Sequence, residues 1–273
     1  MLSALQMHPY TSIIGKVIKS TISGEKQMFR SLIGIIFAVL YLILTLPVLG
    51  ILALIGRKNP EKRGRIAQRM ITWSFGVLLK IAGTKITVIG TENIPDEPVM
   101  FTGNHRSIWD IIITYRYMKR PCGYVAKESM HKIPIFSIWM NYIGCLFLDR
   151  DNLKSGMQMM LDAIKKIKSG SCVYVFAEGT RNKAREELPL LEFHEGSFKI
   201  AVKSGCKIVP VAINNTQDIM EAHNPWLKPV HVCVEFLKPI DPTVLSKDEK
   251  KHLGERSCEM ITEAMKKNAT LIS

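Results

Sequence analysis

His105 and Asp110 stand five positions apart in Gly103-Asn104-His105-Arg106-Ser107-Ile108-Trp109-Asp110, between an apolar strand-like run and an apolar helical one. Across a first helical turn, a carboxylate at that spacing can meet an imidazole, fix its tautomer and stabilise its cation. The other ring nitrogen is then left to take a proton from a hydroxyl, which is general-base chemistry. Asn104 and Ser107 are also good helix caps, so a plain strand-loop-helix junction explains the same residues. A second segment, Phe176-Ala177-Glu178-Gly179-Thr180-Arg181, ends an apolar strand in a turn. Gly179 would let backbone N–H groups approach an anion, Thr180 adds a hydroxyl, and Arg181 offers a planar fork that fits a phosphate. Glu178 is out of place in a pure anion site; it either orients Arg181 or binds a substrate hydroxyl. An ordinary surface ion pair at a strand end accounts for this turn equally well. Two further apolar strands carry the remaining signals. Gly144-Cys145-Leu146-Phe147-Leu148-Asp149-Arg150 ends in a charged pair, and residues 208–213 contain Pro210, which points to an edge or strand-end position.

Such residues need a sheet to present them. From residue 85 onward, strands are expected at 85–90, 99–103, 123–126, 145–148, 172–176, 207–213 and 231–237, and helices at 109–119, 153–169 and 197–204. In 153–169, Met157, Met160, Leu161, Ile164 and Ile167 recur at three- and four-residue steps while Lys154, Asp162, Lys165, Lys166 and Lys168 fill the other face. This alternation is α/β texture. His105 falls where a strand leads into a helix, the place where open α/β folds put their active sites. A surface amphipathic helix is expected at 246–267, packing through Leu253, Cys258, Ile261 and Met265.

The 273 residues carry 37 Lys+Arg against 24 Asp+Glu, a net +13, and the excess is uneven. Residues 1–91 hold 12 basic and 2 acidic side chains, whereas residues 92–273 are nearly balanced. A hydrophobic content of 47% excludes general disorder. The basic third surrounds 26 consecutive uncharged residues, 31–56. As a straight helix that run would measure about 39 Å, enough to cross the apolar core of a bilayer. Pro47 and Gly50 interrupt it, and a second apolar helix is expected at 66–81. Lys16, Lys19, Lys26 and Arg30 upstream and Arg57, Lys58, Lys62, Arg63 and Arg65 downstream make both flanks basic. The positive-inside bias therefore chooses no side. The run either crosses once, or dips into one leaflet and turns at Pro47 with both flanks in the cytosol. Its late start and the lack of a cleavage site disfavour a secretory signal.

Basic charge beside apolar sequence favours an anionic membrane surface as partner over nucleic acid, for which there is no reader motif. Residues 1–84 are thus expected to form a membrane-associated helical region and residues 85–273 an α/β domain. The six cysteines lie 23 to 34 residues apart with no CxxC pair, which fits reduced thiols buried in a cytosolic core better than a zinc site or a disulfide framework.

Taken in order, the four segments resemble the motifs of the glycerolipid acyltransferases of the bacterial lysophosphatidate acyltransferase (PlsC) type. That family's Asn-His-x-Ser-x-x-Asp falls on Asn104, His105, Ser107 and Asp110. Its Gly-x-x-Phe-hydrophobic-Asp/Glu-Arg falls on Gly144, Phe147, Asp149 and Arg150, and its Phe-Pro-Glu-Gly-Thr-Arg on Phe176, Glu178, Gly179, Thr180 and Arg181, with Ala177 in the Pro place. The Val-Pro-Val strand falls on residues 209–211, and a family lysine aligns with Lys127. Where the family carries Phe-Lys-x-Gly, this chain has Phe193-His194-Glu195-Gly196.

The resemblance implies a mixed sheet flanked by helices, with N-terminal helices at the cell or inner membrane and the catalytic domain on the cytoplasmic side. It implies transfer of an acyl group from acyl-CoA or acyl-acyl carrier protein to the hydroxyl of 1-acylglycerol-3-phosphate, giving phosphatidate. His105 would be the base, oriented by Asp110. Arg150 and Arg181, helped by Gly179 and Thr180, would hold the acceptor phosphate, with Asn104, Ser107, Lys127 and Glu178 also on the substrate side. No metal or cofactor is implied beyond the acyl thioester. The changed Phe193 segment leaves open another lysolipid acceptor, and a thioesterase activating water with the same pair is the rival from another class.

Overall fold

The structure, a computed structural model, describes residues 9–272, with side chains from Gly24 onward. Lys16 and Lys19 of the upstream basic flank lie outside the described side chains. Helices α1 (Pro9–Leu44) and α2 (Leu46–Lys58) divide the uncharged run at Thr45. Pro47 lacks the N–H that would continue the α1 ladder, so the helix restarts with this proline in its first turn. Thr45 eases the break by donating its hydroxyl to the Tyr41 carbonyl at 2.6 Å. Helix α3 (Pro60–Ala82) begins where the Asn59 side chain accepts the Lys62 N–H at 2.8 Å, and ends at Gly83 with φ of 71°. Within α1, Gly24–Leu44 has a mean hydropathy of 2.0 and is long and apolar enough to cross a membrane; only 11% of its apolar window is buried.

The remainder alternates strands and helices: β1 (Lys85–Ile89), β2 (Met100–Gly103), α4 (Trp109–Thr114), β3 (Cys122–Lys127), α5 (Phe136–Tyr142), β4 (Leu146–Leu148), α6 (Leu153–Lys168), β5 (Cys172–Val175), α7 (Glu195–Ser204), β6 (Ile208–Asn214), β7 (His231–Phe236) and α8 (Leu253–Asn268). The seven strands form one mixed sheet in the order β1-β7-β6-β2-β5-β3-β4. Strands β6, β2, β5, β3 and β4 run parallel to one another, β7 returns antiparallel to β6, and β1 is parallel to β7. Successive residues alternate between two cores. Phe101, Tyr174, Val209 and Val211 pack with residues of α2 to α5, whereas Met100, Val173, Val175 and Ile208 pack with residues of α6 to α8. Burial of both faces is why the strands read as unbroken apolar runs. Five cysteines are buried and Cys258 is half-buried, all as free thiols.

Three expectations shift. The helix expected over 109–119 ends as α4 at Thr114, followed by a 3₁₀ turn at Tyr115–Tyr117. The Thr114 hydroxyl bonds back to the Asp110 carbonyl at 2.5 Å and meets the Tyr124 hydroxyl at 2.8 Å, a local bond that competes with helical continuation. Helix α8 starts at Leu253, not 246. Ser246 and Glu249 cap each other and close a single separate turn, while Glu195 at the start of α7 accepts the N–H groups of Gly254 and Glu255 at 2.9 and 3.0 Å. Pro210 sits not on an edge but on β6, between β2 and β7. Its missing N–H faces the place where β7 ends, and only its carbonyl is used there, by Leu237 N–H at 2.9 Å.

The sheet also has a tight point. A Cβ added at Gly123 on β3 would run into the backbone carbonyl of Gly144, whereas one at Gly196 meets open space. We therefore expect Gly123→Ala to cost about 1–3 kcal/mol through backbone displacement. Gly196→Ala, inside α7, should be neutral or stabilising; thermal unfolding of the two variants checks the contrast.

Candidate active site

Strand β2 delivers His105 to the edge of the sheet, and the strand-to-helix loop is fastened from several sides. Asn104 is buried and locks onto β6: its amide donates to the Ile213 carbonyl at 2.8 Å and its oxygen accepts the Ile213 N–H at 2.9 Å. Asp110, fully buried in the first turn of α4, gathers the loop. Its Oδ2 accepts from His105 Nδ1 at 2.8 Å and from the backbone N–H groups of Arg106 and Ser107 at 2.7 and 2.8 Å. Its Oδ1 accepts from the Thr216 hydroxyl.

A carboxylate can only accept, so in the neutral imidazole of His105 the proton sits on Nδ1 and Nε2 is the acceptor. That nitrogen has no hydrogen bond among the described residues, and the side chain is 14% exposed. The imidazole stacks on Phe176 with centroids 3.9 Å apart, and Phe176 in turn packs on Tyr174 and Tyr124. One face of the ring is dry, one edge is fixed by a charge, and the remaining nitrogen is available: the arrangement can take a proton from a bound hydroxyl and hold it.

The Glu178 turn arrives on β5, next to β2 in the sheet. Glu178 is not paired with Arg181. It is buried, with Oε1 accepting the His105 N–H at 2.6 Å and Oε2 accepting the Leu191 N–H at 3.1 Å. Burial pushes its carboxyl above the usual range, with those two bonds pulling the other way. The turn closes on the His105 loop again where the Asn182 N–H donates to the His105 carbonyl at 2.7 Å. Gly179 has φ of 69°, and the His194 ring lies where its Cβ would be. Thr180 is exposed, as is Arg181, whose Nη1 lies 3.3 Å from Glu221 Oε1. Glu221 also accepts the Ser107 hydroxyl at 2.6 Å and the Ile108 N–H at 2.9 Å, so one carboxylate ties Arg181 to the His105 loop.

The structure thus brings Asn104, His105, Ser107, Asp110 and Glu178 into one hydrogen-bonded cluster with Arg181 on its rim. Asn104, Ser107 and Glu178, which the resemblance implies lie on the substrate side, hold backbone or other side chains here. Lys127 and Arg150 end β3 and follow β4, exposed on the same edge of the parallel strands, without an ion pair among the described residues. Strand β4 lies two strands beyond β5, about 10 Å along the edge.

Four contributors escape sequence reasoning. Thr216 and Glu221 come from residues more than 100 positions away, and no spacing announces them. Arg106 is buried and donates to the carbonyls of Ala184 and Glu186 at 2.6 and 2.8 Å, holding the loop after Arg181. Asn182 adds a bond to the Pro189 carbonyl. Among the described residues no three His, Cys, Asp or Glu side chains gather as a metal site.

A family model described as Acyltransferase matches residues 85–214, a span that contains the whole His105–Glu178 cluster. The chain is similar to the 1-acyl-sn-glycerol-3-phosphate acyltransferase of Haemophilus influenzae, 32% identical over 227 residues, covering 80% of this chain and 88% of that protein. It is 28% identical to the Saccharomyces cerevisiae protein of the same name over 193 residues, which is 70% of this chain but 63% of that longer protein. Among solved structures it resembles the 1-acyl-sn-glycerophosphate (LPA) acyltransferase PlsC from Thermotoga maritima, with a TM-score of 0.75 and 25% identity over 88% of this chain and 95% of that one.

Proposed function

Because this chain belongs to the acyltransferase family, we propose that it acylates the free hydroxyl of 1-acylglycerol-3-phosphate from an acyl thioester, giving phosphatidate for phospholipid synthesis. The observation that carries the chemistry is the His105 Nδ1–Asp110 bond of 2.8 Å with Nε2 left unpartnered. The acceptor hydroxyl gives its proton to Nε2 while its oxygen bonds to the thioester carbonyl carbon. The imidazolium is stabilised by the buried Asp110 carboxylate at that moment. Collapse of the tetrahedral intermediate breaks the C–S bond, and the departing sulfur takes the proton back. Atoms and charges balance without a metal or redox cofactor, and no serine or cysteine nucleophile is needed.

Arg181 is exposed and tied through Glu221 to the His105 loop, and it would exchange Glu221 for the acceptor phosphate. Lys127 and Arg150 extend the same positive edge toward a larger donor, acyl-CoA or acyl-acyl carrier protein. The exposed apolar face of α1, with Phe29, Leu32, Ile36 and Leu40, supports association with a membrane, where both substrates reside. The free thiols, which a reducing compartment maintains, support a catalytic domain on the cytoplasmic side of the cell or inner membrane.

A panel of lysolipid acceptors with either donor tests this reading. Transfer to 1-acylglycerol-3-phosphate should exceed transfer to its phosphate-free counterpart, and Arg181→Ala should raise the KM for that acceptor about tenfold, the scale of one charge-assisted bond. Preference for an acceptor without a phosphate would overturn it. Glu221→Ala, which releases Ser107, Ile108 and Arg181 together, should lower kcat/KM by at least tenfold, with Glu221→Gln in between because it keeps one carbonyl acceptor.

A further inference from the structure

Two cavities flank α3, and neither takes part in the proposed reaction. An apolar slot of about 590 Å³ lies between α1 and α3, lined by Phe37, Leu40, Tyr41, Leu44, Met70 and Trp73. A groove of about 940 Å³ runs along α3 and carries Arg65, Arg69, Lys80, Arg116, Lys119 and Arg120. Its floor includes Pro121 and residues 169–171, which lead into β3 and β5, whereas His105 follows the end of β2, a parallel strand of the same sheet. That floor therefore lies at the opposite edge of the sheet from the catalytic loop. Arg69 and Trp73 line both cavities, so the slot and the groove adjoin at these two side chains.

The charges in the groove are not balanced from within. Its two carboxylates are spoken for: Glu61 lies 3.1 Å from Arg65, and Asp96 lies 3.4 Å from Lys119. Arg120 is bound to the Asp96 backbone carbonyl. The side chains of Arg69, Lys80 and Arg116 have neither a carboxylate nor a hydrogen-bond partner among the described residues. Trp73 stands at the junction, 60% exposed, against Phe37 and Tyr41 with centroids 6.1 and 6.2 Å away. An indole with an apolar body and a polar N–H is suited to a water–hydrocarbon boundary.

We propose that the two cavities together bind a second, non-substrate lipid, an anionic diacylglycerophospholipid. One acyl chain fills the slot, the glycerol passes Trp73, and the phosphodiester meets Arg69 and Arg116, with Lys80 adding charge. The order of apolar, aromatic and cationic groups matches the order of chain, glycerol and phosphate in such a lipid. Guanidinium groups without internal partners have no bond to break before they take it. The bound lipid staples α1 to α3 and gives the basic N-terminal third a defined ligand beyond a diffuse attraction to negative surfaces. At the far edge of the sheet it does not compete with the acceptor.

The test is native mass spectrometry of the full-length protein in detergent, titrated with phosphatidylglycerol or phosphatidylcholine. One phosphatidylglycerol should be retained at least tenfold more tightly than phosphatidylcholine, and millimolar inorganic phosphate should not displace it. Arg69→Glu/Arg116→Glu should abolish that preference, whereas Lys247→Glu/Lys266→Glu, the same charge change on exposed residues elsewhere, should leave it. Arg69→Gln, expected to weaken retention about threefold, keeps the test decisive should the double variant fail to fold. Equal retention of both lipids, unchanged retention by the groove variants, or equal loss in the Lys247/Lys266 control overturns the proposal. Acyl transfer in micelles, measured in parallel, should stay near wild type in the groove variants, so failure here is separable from failure of the proposed reaction.

Discussion

His105→Ala should lower kcat for acyl transfer by about 10²- to 10⁴-fold, the range that a positioned general base supplies. The side chain makes one hydrogen bond, to Asp110, and one stacking contact, on Phe176. The bonds that shape the loop are made by other groups: the His105 backbone N–H to Glu178, its carbonyl from Asn182, and Asn104 on Ile213. These survive the substitution, so the thermal midpoint should change little, and binding to lipid vesicles through the apolar α1 face should persist. A large loss of turnover with fold and membrane binding kept is what separates a base from a structural histidine. Turnover within a few-fold of wild type would remove His105 from the chemistry.

Asp110→Asn should be nearly as damaging to kcat, by about 10²-fold or more, for a different reason. Asp110 is fully buried and accepts four hydrogen bonds, three on Oδ2 and one on Oδ1. Asparagine can satisfy the three by placing its carbonyl oxygen there. Its NH₂ then faces Thr216, whose hydroxyl can turn to accept. The fold is thereby kept at a cost of about 1–3 kcal/mol. What the amide cannot supply is the negative charge beside the imidazolium. Kinetics and thermal unfolding should therefore diverge for Asp110→Asn and move together for Asp110→Ala, which strands all four donors at once. Thr216→Val, which removes only the Oδ1 partner, should fall between wild type and Asp110→Asn.

The legible part of this molecule was local. The β-branched runs marked the strands, the spacing of His105 and Asp110 predicted a contact that forms at 2.8 Å, and the three- and four-residue apolar steps of α6 appear as the buried side of a helix. Pro47 announced the helix break that falls at Thr45. The illegible part depended on distance along the chain. Glu178 looked like a ligand because its neighbours Gly179, Thr180 and Arg181 do, yet its two oxygens hold backbone N–H groups 73 and 13 residues away. Asn104 looked like a cap and is a clamp on β6, 109 residues on. Pro210 looked like an edge or strand-end signal because sequence does not show that its neighbouring strand stops just where the missing N–H would have been used. Glu221 belongs to no recognisable pattern and still joins three parts of the site. Residue type reported which chemistry was present, and topology decided which groups perform it and which hold them.

On the proposed mechanism, the His105–Asp110 pair moves an acyl group onto a lipid hydroxyl and not onto water. The direct measurement follows free thiol and lipid product together, using purified wild-type protein with an acyl thioester in the presence and absence of 1-acylglycerol-3-phosphate. Thiol release should depend on the acceptor and match phosphatidate formed mole for mole, with both lost in His105→Ala. Thiol release that proceeds at the same rate without acceptor, yielding free fatty acid, would contradict it.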